Sequence, residues 1–160
     1  MKIFFSTLFN QSSYPLNIYI ENGVATGACH MGPLALLDHL ELHLGISSKK
    51  ISEGSRILKY RSQLDKVKVG SFFEKSFDAS DIEVSRYLLN LRDELKLAGW
   101  DFWEQPEMPV RLKDFSNVEA AGNLPASVAD RFRIVLDWIN KGGNTGIVEI
   151  LVYEWKNRSY

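Results

Sequence analysis

Three groups of side chains in this sequence have types and spacings that bear on chemistry. His39 and His43 stand four apart, in the order His-Leu-Glu-Leu-His, with Cys29 and His30 just upstream. Imidazoles at that spacing share one helix face and can ligate a metal. The zinc-protease pattern, however, needs Glu directly after the first His, so that its carboxylate reaches metal-bound water. Here the acid is Glu41, two positions on, and both histidines flank a leucine stripe. They read as boundary histidines, and no metal is expected. Glu154-Trp155-Lys156 ends an apolar run and matches the Glu-x-Lys half of a restriction-type nuclease, in which the acid holds magnesium and the lysine positions water. Such a site also needs an upstream aspartate at a strand edge. The nearest, Asp137, falls inside a predicted helix. The third group is the glycine-bearing segment GACHMGPLA, which begins at Gly27 and contains Gly32 and Pro33. A loop of this kind between strand and helix can present free N–H groups to an anion. It lacks the Gly-Lys-Ser/Thr that neutralises phosphate and holds magnesium, and Pro33 removes one donor. No nucleotide or other cofactor is expected.

A fourth group suggests contact rather than catalysis. Trp100, Phe102 and Trp103 are close in sequence, with Trp138 and Trp155 elsewhere, and aromatic rings stack on single-stranded bases. Arg86, Arg92 and Lys96 supply charges for phosphate, although Asp93 and Glu94 dilute them. The possible DNA or partner contacts are therefore Arg86, Arg92, Lys96, Trp100 and Trp103. The competing reading makes the aromatics core plugs and the charges a solvated helix face. No complete catalytic constellation is present.

The elements that must position these residues follow from pattern. One hundred and sixty residues, 45% of them hydrophobic, suffice for one domain and not comfortably for two. Nineteen basic against twenty acidic residues leave no global field to draw the chain to nucleic acid or to an anionic membrane. The single cysteine excludes an internal disulfide framework, and no stretch is apolar for membrane length, so the chain reads as cytoplasmic. Lys2–Phe9 predicts a buried first strand. Asn17–Glu21 and Val24–Thr26 predict a hairpin about Asn22-Gly23. Pro33 opens a helix with the stripe Leu36, Leu37, Leu40 and Leu44, stopped by Gly45. Arg56–Val67 predicts another.

The longest pattern lies in Ser71–Trp103. Ser80 and Glu83 form a capping-box signature, Val84, Tyr87, Leu88, Leu91, Leu95 and Ala98 a core stripe, and Gly99 the stop. Ile82, Leu89 and Leu97 fall opposite, implying a second covered face. Leu112, Phe115 and Val118 predict a short helix closed by Gly122. Pro125 opens another, with Val128, Phe132, Val135, Leu136 and Ile139 as its stripe. Ile147–Tyr153, apolar on both faces, predicts an interior strand. Strands at both ends with helices between predict a single helix-rich α/β layered domain over residues 1–160.

The segments GPLALLDHLELHLGI (Gly32–Ile46), FFEKSFDASDIEVSRYLLNLRDELKLAGWD (Phe72–Asp101) and LPASVADRFRIVLDWI (Leu124–Ile139) resemble the N-terminal region of a large bacterial family. Its members look like inactivated superfamily-one helicases with a C-terminal PD-(D/E)XK nuclease, similar to the B subunit of the ATP-dependent helicase-nuclease of recombination repair. The most specific residues run from Ser76-Phe77-Asp78 through Arg92-Asp93-Glu94-Leu95 to Ala98-Gly99-Trp100-Asp101.

The resemblance implies a helicase-derived, P-loop-like fold. Gly27, Gly32 and Pro33 would then occupy a degenerate phosphate-loop position without ATPase activity. It also implies that the chain is the N-terminal part of a much longer protein, whose nuclease residues lie beyond Tyr160. The function expected is a non-catalytic scaffold or DNA-positioning module of a DNA repair and recombination helicase-nuclease. Its partners would be the rest of that chain, a partner helicase subunit, and DNA through the assembly. Two other readings stand beside it: a small magnesium-dependent nuclease using Glu154 and Lys156, and a protein–protein interaction domain unrelated to DNA.

Overall fold

The computed structural model describes residues 2–7, 28–46 and 51–152. In chain order the elements are β1 (Lys2–Phe5), β2 (Ala28–Met31), α1 (Pro33–His43), α2 (Glu53–Val67), α3 (Glu74–Ala79), α4 (Asp81–Leu97), α5 (Val110–Ala120), α6 (Val128–Asn140) and β3 (Glu149–Val152). The helix-rich α/β class matches the expectation. The chain divides into two compact units, Met1–Ser47 with Val135–Tyr160, and Ser48–Ile134.

In the first unit the three strands are parallel, in the order β2-β1-β3. Ile3, fully buried, aligns with Cys29 on one side and Ile150 on the other. Lys2 forms an ion pair with Glu149 at 2.8 Å, and the Phe4 ring stacks on His30 with centroids 4.9 Å apart. β1 is thus the middle strand of the three, with Ile3 buried and Phe4 and Phe5 half-buried. β3 is not. Among the described residues it pairs only with β1 and leaves Ile150, Leu151 and Val152 exposed, so the interior placement expected of Ile147–Tyr153 is not met at residues 150–152. Apolar residues on both faces mark a strand of a parallel sheet without telling which strand stands at its edge. The predicted hairpin over residues 17–26 lies outside the described residues.

Only Gly32 separates β2 from α1, and it is extended (φ −86°, ψ 176°). Ala28, Cys29, His30 and Met31, expected in a loop, are strand. Pro33 occupies the first turn, where its missing N–H costs nothing. Leu37 and Leu40 are buried, as the stripe requires. Gly45, at φ 66°, closes α1: Ile46 N–H donates to Glu41 C=O at 2.9 Å, a left-handed cap that glycine adopts without strain.

The second unit is helical, its core built from Ile57, Tyr60 and Leu64 of α2, Phe73 and Phe77, Leu88 and Leu89 of α4, Phe102, and Phe115 and Val118 of α5. α2 is capped by Ser52, whose hydroxyl accepts from Ser55 N–H at 3.3 Å. The capping box predicted at Ser80 does not form. Ser80 serves two helices with its backbone, donating to Ser76 C=O at 3.0 Å and accepting from Val84 N–H at 3.1 Å, and its side chain makes no cap bond. Glu83 turns instead to Arg86 at 3.1 Å.

α4 is also rotated from the predicted stripe. Of that stripe, Leu88 is core and Val84, Leu91 and Leu95 pack against the core, whereas Tyr87 is 68% exposed and Ala98 is exposed; Ser85 and Arg92 are buried beside Leu88 and Leu89. Leu89, assigned to the far face, is core, and Leu97 is exposed. The stop at Gly99 (φ 94°) matches expectation, with Trp100 N–H bonded to Leu95 C=O at 3.0 Å. α5 ends with Ala121 as its C-cap, directly before the predicted stop Gly122. α6 begins at Val128, after Pro125, and of its predicted stripe Val128, Leu136 and Ile139 are exposed while Val135 is buried.

Candidate functional site

Charge is concentrated inside the helical unit. Arg92 of α4, 4% exposed, uses all three guanidinium nitrogens. Nε and Nη2 grip the two carboxylate oxygens of Glu119 at 2.9 and 3.1 Å, and Nη1 reaches Asp93 at 2.9 Å and Asp130 at 2.7 Å. Arg56 of α2 forks onto the same Asp93 with Nη1 and Nη2 at 2.9 and 3.1 Å, and its Nε donates to Pro125 C=O at 3.0 Å. Asp130 caps its own helix reciprocally with Ser127: it accepts from Ser127 N–H at 2.8 Å, and Ser127 Oγ accepts from Asp130 N–H at 3.1 Å. Two guanidiniums and three carboxylates therefore tie α2, α4, α5 and the start of α6 together. Bidentate pairs of this kind are short, oriented and strong.

Phe102 forms the apolar lid. It is buried at a positive φ of 62° that few side chains adopt, packs against Trp100 at 4.6 Å, and lies under the Arg92 guanidinium at 5.3 Å.

The network fixes protonation. Burial pushes the Asp130 carboxyl up, but the hydrogen bonds from Arg92 and Ser127 outweigh it and hold the group below the ordinary carboxylate range. Burial likewise works against the Arg92 charge, and Glu119 and Asp130 overcome it, so the guanidinium stays ionised. Lys96 and, more weakly, Arg133 draw Asp101 below the usual range as well. A carboxyl whose folded pKa is depressed adds stability above its unfolded pKa, and that stability disappears as pH falls through the folded value. Stability should therefore decline as pH drops below about 4. Urea midpoints measured between pH 6 and pH 3 should fall for wild type and fall less steeply for Asp130→Asn. Equal slopes would contradict the assignment.

Tyr60 is fully buried, and among the described residues its hydroxyl has no hydrogen-bond partner. Burial first, then the nearby Glu119 carboxylate, pushes its pKa far up, so it remains a neutral phenol. Removing a buried unpaired hydroxyl relieves its desolvation, so Tyr60→Phe should match or exceed wild-type stability by up to about 1 kcal/mol in denaturant unfolding. A loss of that size would show that the hydroxyl is bonded.

An apolar groove of about 430 Å³ lies beside α3 and α4, lined by Phe72, Phe73, Ser76, Glu83, Val84, Tyr87 and Leu88. Its one carboxylate, Glu83, pairs with Arg86, so the groove offers shape and aromatic surface without a paired acid and base.

The structure divides the residues nominated as contacts. Arg92 spends its donors inside the fold, on Glu119, Asp93 and Asp130. Lys96 is held by Asp101 at 2.6 Å, and Trp100 is half-buried against Phe102. Arg86 and Trp103 face solvent. Glu154, Trp155 and Lys156 lie outside the described residues, and Asp137 lies in α6. His39 and His43 stack on each other with centroids 5.8 Å apart. Among the described residues no group of three or more His, Cys, Asp or Glu side chains is arranged to hold a metal ion, and no helix is long and apolar enough to cross a membrane.

Sequence reading missed Arg56, Glu119, Ser127 and Asp130. Ser127-x-x-Asp130 behind Pro125 was the available signal, because that spacing is itself a capping box.

The fold defines the class, a helix-rich α/β protein with a small parallel sheet. No family model, no curated protein and no solved structure matches the chain.

Proposed function

We propose that this chain is a non-catalytic scaffold module, helicase-derived, that serves a DNA repair helicase-nuclease. The observation carrying the scaffold reading is the inward use of its most specific motif. Arg92, Asp93, Trp100 and Asp101 spend their polar and aromatic groups on one another and on α2, α5 and α6, which is what a rigid platform needs. The connection at Gly32 supports the loss of nucleotide binding. A phosphate cradle requires several successive backbone N–H groups, and here one residue precedes a proline. The repair context rests on the resemblance of Gly32–Ile46, Phe72–Asp101 and Leu124–Ile139.

A titration with fluorescent Mg-ATP tests the reading. No saturable binding is expected at micromolar concentrations; binding that Gly32→Glu abolishes would overturn it. Anisotropy with labelled single-stranded DNA then tests the positioning role, since any phosphate contact must weaken as salt rises.

A further inference from the structure

The connection between α4 and α5 is a strap whose two ends are closed independently of it. α4 is completed by Ala98 N–H on Glu94 C=O at 2.9 Å and by Trp100 N–H on Leu95 C=O at 3.0 Å. α5 opens behind Pro109, whose C=O accepts from Lys113 N–H at 3.1 Å. Left-handed residues stand at three points between the helices: Gly99 at φ 94°, Phe102 at 62° and Glu107 at 65°. Glycine adopts that conformation freely. Phe102 and Glu107 do so against the crowding of their own Cβ by the following carbonyl. Strained residues of this kind persist only where the surroundings hold them, and they gather in clamps and switches.

Two side chains do the holding here. Phe102 is 8% exposed, with Trp100 packed on it at 4.6 Å and the Arg92 and Lys96 cations over its ring at 5.3 and 5.9 Å. Asp101 accepts from Lys96 of α4 at 2.6 Å and from Arg133 of α6 at 3.2 Å. Residues 103–107 are exposed, and Trp103 keeps 71% of its surface in water. The exposed stretch adds no packing that offsets the strain, so closure rests on one ring with its neighbour and on one carboxylate.

We propose that residues 100–106 form a latched strap that releases as a unit, swinging on Gly99 and Glu107. Release lets Phe102 relax to a negative φ, which offsets part of the packing it gives up. It also takes the Asp101 carboxylate away from Lys96 and leaves that ammonium beside the apolar cleft that the Phe102 ring had filled. The helices keep their places, because Arg92 retains Glu119, Asp93 and Asp130, and Arg56 retains Asp93. The fold thus contains a device that uncovers a cation and an apolar cleft without unfolding a helix. It goes beyond the scaffold reading and does not depend on it.

The full chain labelled with 5-fluorotryptophan tests the strap, each signal being assigned by replacing one Trp with Phe. Trp100 and Trp103 report the strap, and Trp138 reports α6. Fluorine relaxation dispersion should show Trp100 exchanging on the microsecond to millisecond scale with a second state populated at about 1% or more, while Trp138 shows no such exchange. Asp101→Asn, which weakens both ion pairs, should raise that population by about fivefold with the circular dichroism unchanged. Sodium chloride at about 1 M should raise it too, since the clasp is part-exposed and screening then acts over about 3 Å. Phe102→Gly, which removes both the ring and the strain, should move the main Trp100 signal to the released position. A Trp100 signal without exchange in both wild type and Asp101→Asn would overturn the proposal, and so would exchange that Trp138 shares at the same rate. Either result leaves the pairing of Arg92 with Glu119 untouched, so the scaffold reading stands or falls separately.

Discussion

Arg92→Ala should be the most damaging single substitution in the helical unit, costing about 3–5 kcal/mol. The reason is what it leaves behind. Glu119, Asp93 and Asp130 would lose a shared cation in a site from which water is largely excluded, and only Asp93 would retain another, Arg56. Truncation also removes the guanidinium stacked on Phe102. For a helical unit of this size the melting temperature should fall by more than about 10 °C. Arg92→Lys should recover little, because one ammonium cannot span both oxygens of Glu119 while also meeting Asp93 and Asp130. Chemical denaturation of the three proteins checks this. A loss under about 1 kcal/mol for the alanine variant would mean that the carboxylates remain solvated and that the network adds little.

The second large effect contrasts two positions of α4 whose burial departs from the predicted stripe. Leu89→Ala should cost about 2–5 kcal/mol, because the side chain is 2% exposed in the core and its removal leaves a cavity. Tyr87→Ala, two positions earlier and on the stripe that apolar spacing marks as core, should stay within about 0.5 kcal/mol of wild type. Urea midpoints for this pair decide which face is buried. Comparable losses would restore the sequence-based assignment.

That contrast shows where the sequence is informative. Features determined by backbone geometry were legible: Pro33 at the start of α1, the stops at Gly45 and Gly99, the leucines of α1, and strands at both ends of the chain. Faces determined by long-range partners were not. α4 buries Ser85 and Arg92, residues that any polarity scale assigns to solvent, because α5 and α6 bring Glu119 and Asp130 to the guanidinium. Pairing of charges 27 and 38 positions apart leaves no periodic trace. The same limit applies at β3, whose place at the edge depends on the strand beside it, and at Ser80, whose capping role is taken by the corner between α3 and α4. For the candidate site, sequence pointed to the right helix and left two uses of it open, contacts or core plugs and a solvated face; Arg92 is turned inward, Lys96 is held by Asp101, and Trp100 packs on Phe102.

The account depends on Arg92 acting as an internal tie between helices. A double-mutant cycle between Arg92→Met and Glu119→Gln measures that tie directly, by equilibrium unfolding of wild type, the two single variants and the double. A coupling of about 1–3 kcal/mol is predicted, with the double variant far less damaged than the sum of the singles. Additivity within about 0.5 kcal/mol would contradict the account and return Arg92 to the list of residues free to meet a ligand.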